Sequence, residues 1–184
     1  VPENIVSEID RNIYMVEQIT NKKIDVHFPT LNLDQFGDAK NAAEKILSEN
    51  NLFSRRFVVF FPGSGTTFKI WPTEKFAVIA DYFISKDIVP VFCGSKGEKP
   101  LIADIIKNMK SASVGNSVPD NQYGFVDISG QTDVPTMGYI LKHSLFYFGS
   151  DNGIAHLSTG LGTPVICLLG GGFGFRFFPY GDLT

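Results

Sequence analysis

The segment FFPGSGTTFKIWPTEKF, from Phe60 to Phe76, contains the residue types of an anion-binding loop. Its glycines let the backbone approach a ligand closely, and Lys69 adds a point charge suited to phosphate. The spacing matches neither G-x-x-x-x-G-K-[ST] nor G-x-G-x-x-G, so a plain turn between a strand and a helix is the alternative interpretation. The side chains predicted to contact the anion are Ser64, Thr66, Thr67 and Lys69.

A second candidate segment, SDNGIAHLSTGLGTPVICLLG, begins at Ser150. Asp151 or Asn152 could cap a helix that Gly153 opens. The free N–H groups and the positive dipole of a first helical turn attract anions. His156 would lie on the same helix face one turn further on, where it is either a structural group or part of the binding site.

Two other loops hold further candidates. Glu98, in SKGEKP, opens a predicted helix and either serves the helix dipole or bonds a ribose or sugar hydroxyl. The run GGGFGFRFFPYG, from Gly170 to Gly181, is either a ligand contact or a flexible loop, and its Arg176 either a phosphate partner or a surface charge. No acid pair or Ser-His-Asp order is evident, which disfavours a hydrolase.

Composition excludes several other classes of function. A net charge of −3 gives no basic footprint for nucleic acid. No apolar run reaches the roughly 20 residues that span a bilayer, and the first residues do not form an export signal, so we expect a cytoplasmic chain. Cys93 and Cys167 follow apolar residues and are expected to be reduced. The two cysteines and three histidines are scattered without metal-ligand spacing, so no structural metal is predicted. No cofactor is predicted either.

The candidate loops follow strands in a repeating strand–loop–helix pattern. Continuous apolar strands that alternate with amphipathic helices indicate an α/β fold, a Rossmann-like doubly wound parallel sheet. In such sheets ligands bind at the carboxyl ends of the strands. The predicted strands are 57–61, 89–93, 124–128, 145–149 and 164–169, and the predicted helices are at about 74–86, 98–109, 135–143 and 153–161.

The chain divides by pattern into two parts, residues 1–56 and 57–184. The first part has no strong strand pattern and is predicted to be a helical connector. Its first helix is indicated by apolar residues at close to the helical period, Ile5, Ile9, Ile13, Val16 and Ile19. A second helical stretch, NAAEKILSEN, follows. The second part is predicted to be the ligand-binding domain.

These motifs together resemble glycosyltransferase family 9, the heptosyltransferase-like family. FPGSGTTFKIWPTEKFAVIADYF resembles the family's glycine- and hydroxyl-rich turn before Lys, Trp-Pro and a helix, and FGSDNGIAHLSTGLGTPVICLLG resembles its second signature. VPVFCGSKGE and DISGQTDVPTMGYILKHS match the segments between them. The resemblance covers about residues 7–181, and Asn152 stands where the family often has Ser or Thr.

The resemblance implies a donor-binding half of a GT-B fold, in which two Rossmann-like domains face each other across a cleft. Residues 57–184 would be that half, truncated at its C-terminus, and residues 1–56 the end of an N-terminal acceptor domain. Thr66, Thr67 and Lys69 would contact the donor diphosphate, and Glu98 the nucleoside. The residues implied to bind donor sugar and phosphate are Asp151, Asn152, Gly153 and His156.

The implied reaction is metal-independent, inverting transfer of a sugar, heptose from ADP-heptose, to lipopolysaccharide core or another surface glycan. Lys69 would stabilise the leaving group, while the general base and the site for a lipid-linked or glycan acceptor would belong to the other domain. Alone, this chain is expected to be inactive, and the whole protein to sit in the cytoplasm or at the inner face of the inner membrane. A non-catalytic nucleotide-sugar-binding domain and a sugar-nucleotide epimerase are the alternatives.

Overall fold

Five parallel strands form the centre of the molecule. The computed structural model describes residues 2, 5, 7–25, 31–114, 124–170 and 179. The strands lie in the order β3-β2-β1-β4-β5, with every neighbouring pair parallel. They are β1 Phe57–Phe61, β2 Val89–Phe92, β3 Val126–Asp127, β4 Tyr147–Ser150 and β5 Val165–Leu168. This order confirms the predicted Rossmann-like sheet. Strands β2 and β3 are added on one side of β1, and β4 and β5 on the other. The switch point between β1 and β4 is where such folds bind ligands.

Helices precede the sheet and connect its strands. They are α1 Glu8–Thr20, α2 Gly37–Glu49, α3 Thr73–Ile84, α4 Lys99–Asn108, α5 Lys110–Val114, α6 Val134–His143 and α7 Gly153–Gly160. Short 3-10 turns occur at Leu52–Ser54, Thr67–Lys69 and Lys96–Glu98. The sequence pattern did not indicate α5. The predicted strand 124–128 is longer than β3, because this edge strand pairs only with β2 and is hydrogen-bonded over two residues.

Alternate residues of β1 supply two separate cores. Phe57 and Val59 belong to a buried cluster on the face covered by α2, α6 and α7. Val58 and Phe60 belong to the opposite cluster, under α3 and α4. Several of the chain's 17 phenylalanines lie in this second cluster. The ring centroid of Phe60 is 4.9 Å from that of Phe148 and 5.4 Å from that of Phe92. Burial on both faces explains why the strand is apolar throughout.

The second helix is part of this core. Ala43, Ile46 and Leu47 of α2 are buried and pack in the same cluster as β1. Helix α2 therefore covers one face of the sheet beside α6. The division at residue 56 remains a prediction from the sequence.

The first helix forms as its pattern predicts but stays at the surface. It ends at Thr20 and is followed by Asn21, whose φ of 52° is left-handed. Although the helix is amphipathic, none of its residues is buried, and Ile19 is 84% exposed. Ile5 lies before the helix begins. Within the described ranges, no helix has the length and apolar character needed to cross a membrane.

Candidate functional site

The carboxyl ends of β1 and β4 approach each other unusually closely. Gly149 lies opposite Phe61 in the pairing of these two strands. A Cβ atom on Gly149 would overlap the Phe61 carbonyl oxygen and lie 2.9 Å from the Tyr147 hydroxyl. Only glycine therefore permits this approach, and it brings the loop after β1 against the loop after β4.

The two loops are joined by the predicted lysine and aspartate. Lys69 Nζ lies 2.9 Å from Asp151 Oδ2, although the two residues are far apart in the sequence. Ser64 Oγ donates to the Asp151 carbonyl oxygen at 3.3 Å. His156 Nε2 lies 3.7 Å from Asp151 Oδ1, with its side chain 47% exposed. The structure thus gathers a cation, a carboxylate and an imidazole at the start of α7.

The first turn of α7 is capped by Asn152, not by Asp151. Asn152 Oδ1 accepts hydrogen bonds from the N–H groups of Ile154 at 2.9 Å and Ala155 at 3.2 Å. Its Nδ2 donates to the Gly63 carbonyl oxygen at 2.8 Å. The sequence left the choice of cap open because both Asx side chains suit that position. Asp151 instead pairs with Lys69.

Two buried hydroxyl groups, those of Tyr147 and Ser150, donate hydrogen bonds to backbone carbonyl oxygens beside the site. Tyr147 Oη donates to the Ser150 carbonyl oxygen at 2.7 Å, and Ser150 Oγ donates to the Pro62 carbonyl oxygen at 2.7 Å. Burial raises the pKa of Tyr147 well above its ordinary value, so the phenol stays protonated and keeps donating. Burial also raises the pKa of Cys167, on β5, to about 12. That thiol stays neutral and is not a nucleophile.

Glu98 reaches the same edge of the sheet from the loop after β2. Its Oε2 accepts a hydrogen bond from the Ser95 N–H at 2.6 Å, as part of a capping box. Its carboxylate lies directly against Gly63, where a Cβ atom would overlap Oε1. The structure therefore places Glu98 beside the β1 loop, next to the group around Lys69.

The remaining predicted residues lie at the rim of this arrangement. Thr66 and Thr67 are exposed on the β1 loop, and Gly153 is exposed where α7 begins. Gly170 lies against the loop, since a Cβ there would come within 2.7 Å of Lys69 Cα. Arg176, and with it the segment 171–178, lies outside the described residues.

A pocket of about 180 Å³ opens beside the charged group, and sequence reasoning did not identify it. It is mainly apolar, with polar groups from the start of α6. Its lining residues are Phe61, Gly94, Ser95, Thr132, Asp133, Val134, Met137 and Ile154.

Asp133 caps α6 by accepting from the Thr136 N–H at 2.8 Å. A side-chain hydrogen bond from Thr136, together with this backbone bond, lowers the pKa of Asp133, so a carboxylate stands at the pocket wall. A capping aspartate after β3 was the available sequence signal.

A metal site would need several ligand side chains close together in the part of the chain that the structure describes. There, no three His, Cys, Asp or Glu residues are grouped so that they could hold a metal ion. Metal independence nevertheless stays a prediction.

The parallel sheet has this strand order, and the loop 62–72 that carries Lys69, the lysine loop, lies at its switch point. These features place the chain in the Rossmann-like class of α/β domains. The family model for glycosyltransferase family 9 (heptosyltransferase) matches residues 3–183. The chain belongs to that family, as its motifs indicated.

Two curated relatives have similar sequences. The chain is 28% identical over 131 residues to the lipopolysaccharide core heptosyltransferase OpsX of Haemophilus influenzae. The matched segment covers 71% of this chain and 35% of that protein. It is 24% identical over 116 residues to lipopolysaccharide heptosyltransferase 3 of Escherichia coli, covering 62% of this chain and 30% of that protein. The chain thus matches about a third of the length of each relative.

Two solved structures share the fold. The family 9 glycosyl transferase of Veillonella parvula superposes with a TM-score of 0.72 at 20% identity, over 96% of this chain and 47% of that one. The ADP-heptose lipopolysaccharide heptosyltransferase II of Escherichia coli superposes with a TM-score of 0.62 at 18% identity, over 80% of this chain and 41% of that one. These likenesses confirm the Rossmann-like fold.

Proposed function

We propose that this chain forms the donor site of a glycosyltransferase that moves a sugar from a nucleoside diphosphate to a glycan. The observation that carries the proposal is the meeting of Lys69, Ser64 and the start of α7 at the switch point of the sheet. A cation and the positive end of a helix dipole are partners that suit a diphosphate. Membership of glycosyltransferase family 9 supports the same reaction class.

The donor would lie across the carboxyl edge of the sheet. Its diphosphate would sit between Lys69 and the exposed Gly153, and its base in the apolar pocket beside Met137. Glu98 lies between these two positions, against Gly63, and its carboxylate would accept hydrogen bonds from the ribose hydroxyls. Each end of the donor thus meets groups of matching chemistry.

The protein's contribution to the reaction would be electrostatic. As the bond between sugar and phosphate breaks, negative charge accumulates on the diphosphate, and a fixed cation and helix dipole lower the energy of that state. Asp151 Oδ2 lies 2.9 Å from Lys69 Nζ and holds this ammonium group in place. We propose inverting transfer without a metal ion, with the acceptor and the general base held outside the described residues.

The finer proposal is that the sugar is heptose, the donor ADP-heptose and the acceptor the lipopolysaccharide core or another surface glycan. The names of the relatives from Haemophilus influenzae and Escherichia coli support this choice. An acceptor of that kind is lipid-linked, so we place the reaction in the cytoplasm or at the inner face of the inner membrane.

Calorimetric titration with ADP, UDP, GDP and ADP-heptose tests the proposal. We expect saturable binding of ADP and ADP-heptose, at least tenfold tighter than that of UDP or GDP, a difference of about 1.4 kcal/mol. Preference for UDP or GDP would replace the proposed donor while leaving the transfer class in place. A folded chain that binds none of the four would contradict the donor-site proposal.

A further inference from the structure

The side chain of Asn152 lies between the two loops that form the candidate donor site. Its Oδ1 accepts from the N–H groups of Ile154 and Ala155, at 2.9 and 3.2 Å. Its Nδ2 donates to the Gly63 carbonyl oxygen at 2.8 Å. Both polar atoms of the side chain therefore have partners in the protein.

These hydrogen bonds connect the two parts that must converge on a diphosphate. Gly63 begins the loop that carries Ser64 and Lys69, while the capped N–H groups fix the first turn of α7. Ser150 Oγ also joins the two strand ends, through the Pro62 carbonyl oxygen at 2.7 Å, just before Gly63. Further along the loop, two connections run through Asp151, to Ser64 Oγ and Lys69 Nζ. Those two groups are the ones that an arriving anion would engage. The bond from Asn152 to Gly63 uses no such group and would persist in the occupied site.

We infer that Asn152 is a positioning residue that sets the spacing between the lysine loop and the start of α7. The inference rests on the proposed function, because the spacing matters only if a diphosphate binds there. An amide supplies an acceptor and a donor on separate atoms, which cap the helix and hold Gly63 at the same time. A serine has one oxygen on a shorter side chain, so it can cap the helix but not also hold Gly63.

Asn152→Ser tests the inference by comparing a nucleoside diphosphate with its nucleoside. We expect the affinity for ADP to fall about tenfold while the affinity for adenosine changes less than about twofold, since a tenfold loss equals about 1.4 kcal/mol. In a Lys69→Met background the same substitution should change ADP affinity less than about twofold, because the two residues act on one interaction. A purely structural role would lower the urea midpoint but leave the ratio of the two affinities unchanged.

Two variants complete the experiment. Asn50→Ser is the matched control, because the Asn50 amide also donates to a backbone carbonyl, that of Ile46 at 2.8 Å, but at the end of α2. It should leave both affinities unchanged. Asn152→Asp keeps the capping oxygen and loses the donor, so it should weaken ADP binding at least as much as Asn152→Ser.

The failures are distinguishable. If the original chain binds ADP and Asn152→Ser binds it equally well, or loses adenosine by the same factor, the positioning role is wrong. If the original chain binds neither ADP nor another nucleoside diphosphate, the proposed function itself fails.

Discussion

Replacing Lys69 by Met should weaken nucleoside diphosphate binding by about 30-fold to 100-fold, or about 2–3 kcal/mol, because hydrogen bonds to charged groups contribute about 1.5–3 kcal/mol. Methionine keeps much of the length of the side chain and removes its charge and its hydrogen-bond donors. The variant would also leave the Asp151 carboxylate, whose side chain is 14% exposed, without its cation and facing the phosphates. Calorimetric titration at fixed ionic strength measures the change.

Two further variants separate the site from general electrostatics. Lys142→Met removes the same charge from an exposed position at the end of α6, just before β4 begins, and should leave the affinity unchanged. Adding Asp151→Asn to Lys69→Met should recover part of the lost affinity, because the unpaired carboxylate is gone. Equal binding by Lys69→Met and the original chain would exclude Lys69 from the diphosphate site.

Gly149→Ala should destabilise the fold by about 3 kcal/mol, at the upper end of the 1–3 kcal/mol typical of overpacking. The added methyl group would overlap the Phe61 carbonyl oxygen, which is backbone and cannot rotate away. Relief requires β1 and β4 to separate, at the point where their loops form the candidate site. Urea unfolding should show a lower midpoint with an unchanged slope.

Gly37→Ala is the control for this substitution. Gly37 begins α2, and a Cβ atom there meets no heavy atom within 4 Å. Its urea midpoint should match or exceed the original value, since alanine favours helix. If Gly149→Ala unfolds at the same midpoint as Gly37→Ala, the close approach of the two strands is not required for stability.

The inner strands β1, β2 and β4 were predictable because they are buried on both faces. Such strands are continuously apolar, and FVVFF at β1 is apolar at every position. The bounds of the edge strand β3 were predicted least accurately, since β2 is its one neighbouring strand in the sheet. Helix α1 was also predictable from its period, but periodicity does not tell which surface, if any, covers an apolar face.

The members of the candidate site were predictable from their positions after strands, whereas their partners were not. Lys69 and Asp151 meet only because β1 and β4 are neighbours, and a single sequence does not give strand order. For the same reason, the sequence did not predict the bond from Asn152 to Gly63 or the pocket between the ends of β1 and β2. Local chemistry therefore indicated which residues could act, and topology determined how they combine.

A crystal structure of the chain with the nucleoside diphosphate that binds most tightly tests the central claim most directly. We predict phosphate oxygens within hydrogen-bond distance, about 2.7–3.2 Å, of Lys69 Nζ and of the exposed Gly153 N–H at the start of α7. We also predict the base in the pocket beside Met137, with Glu98 near the ribose. Phosphates that contact neither Lys69 nor the first turn of α7 would contradict the claim.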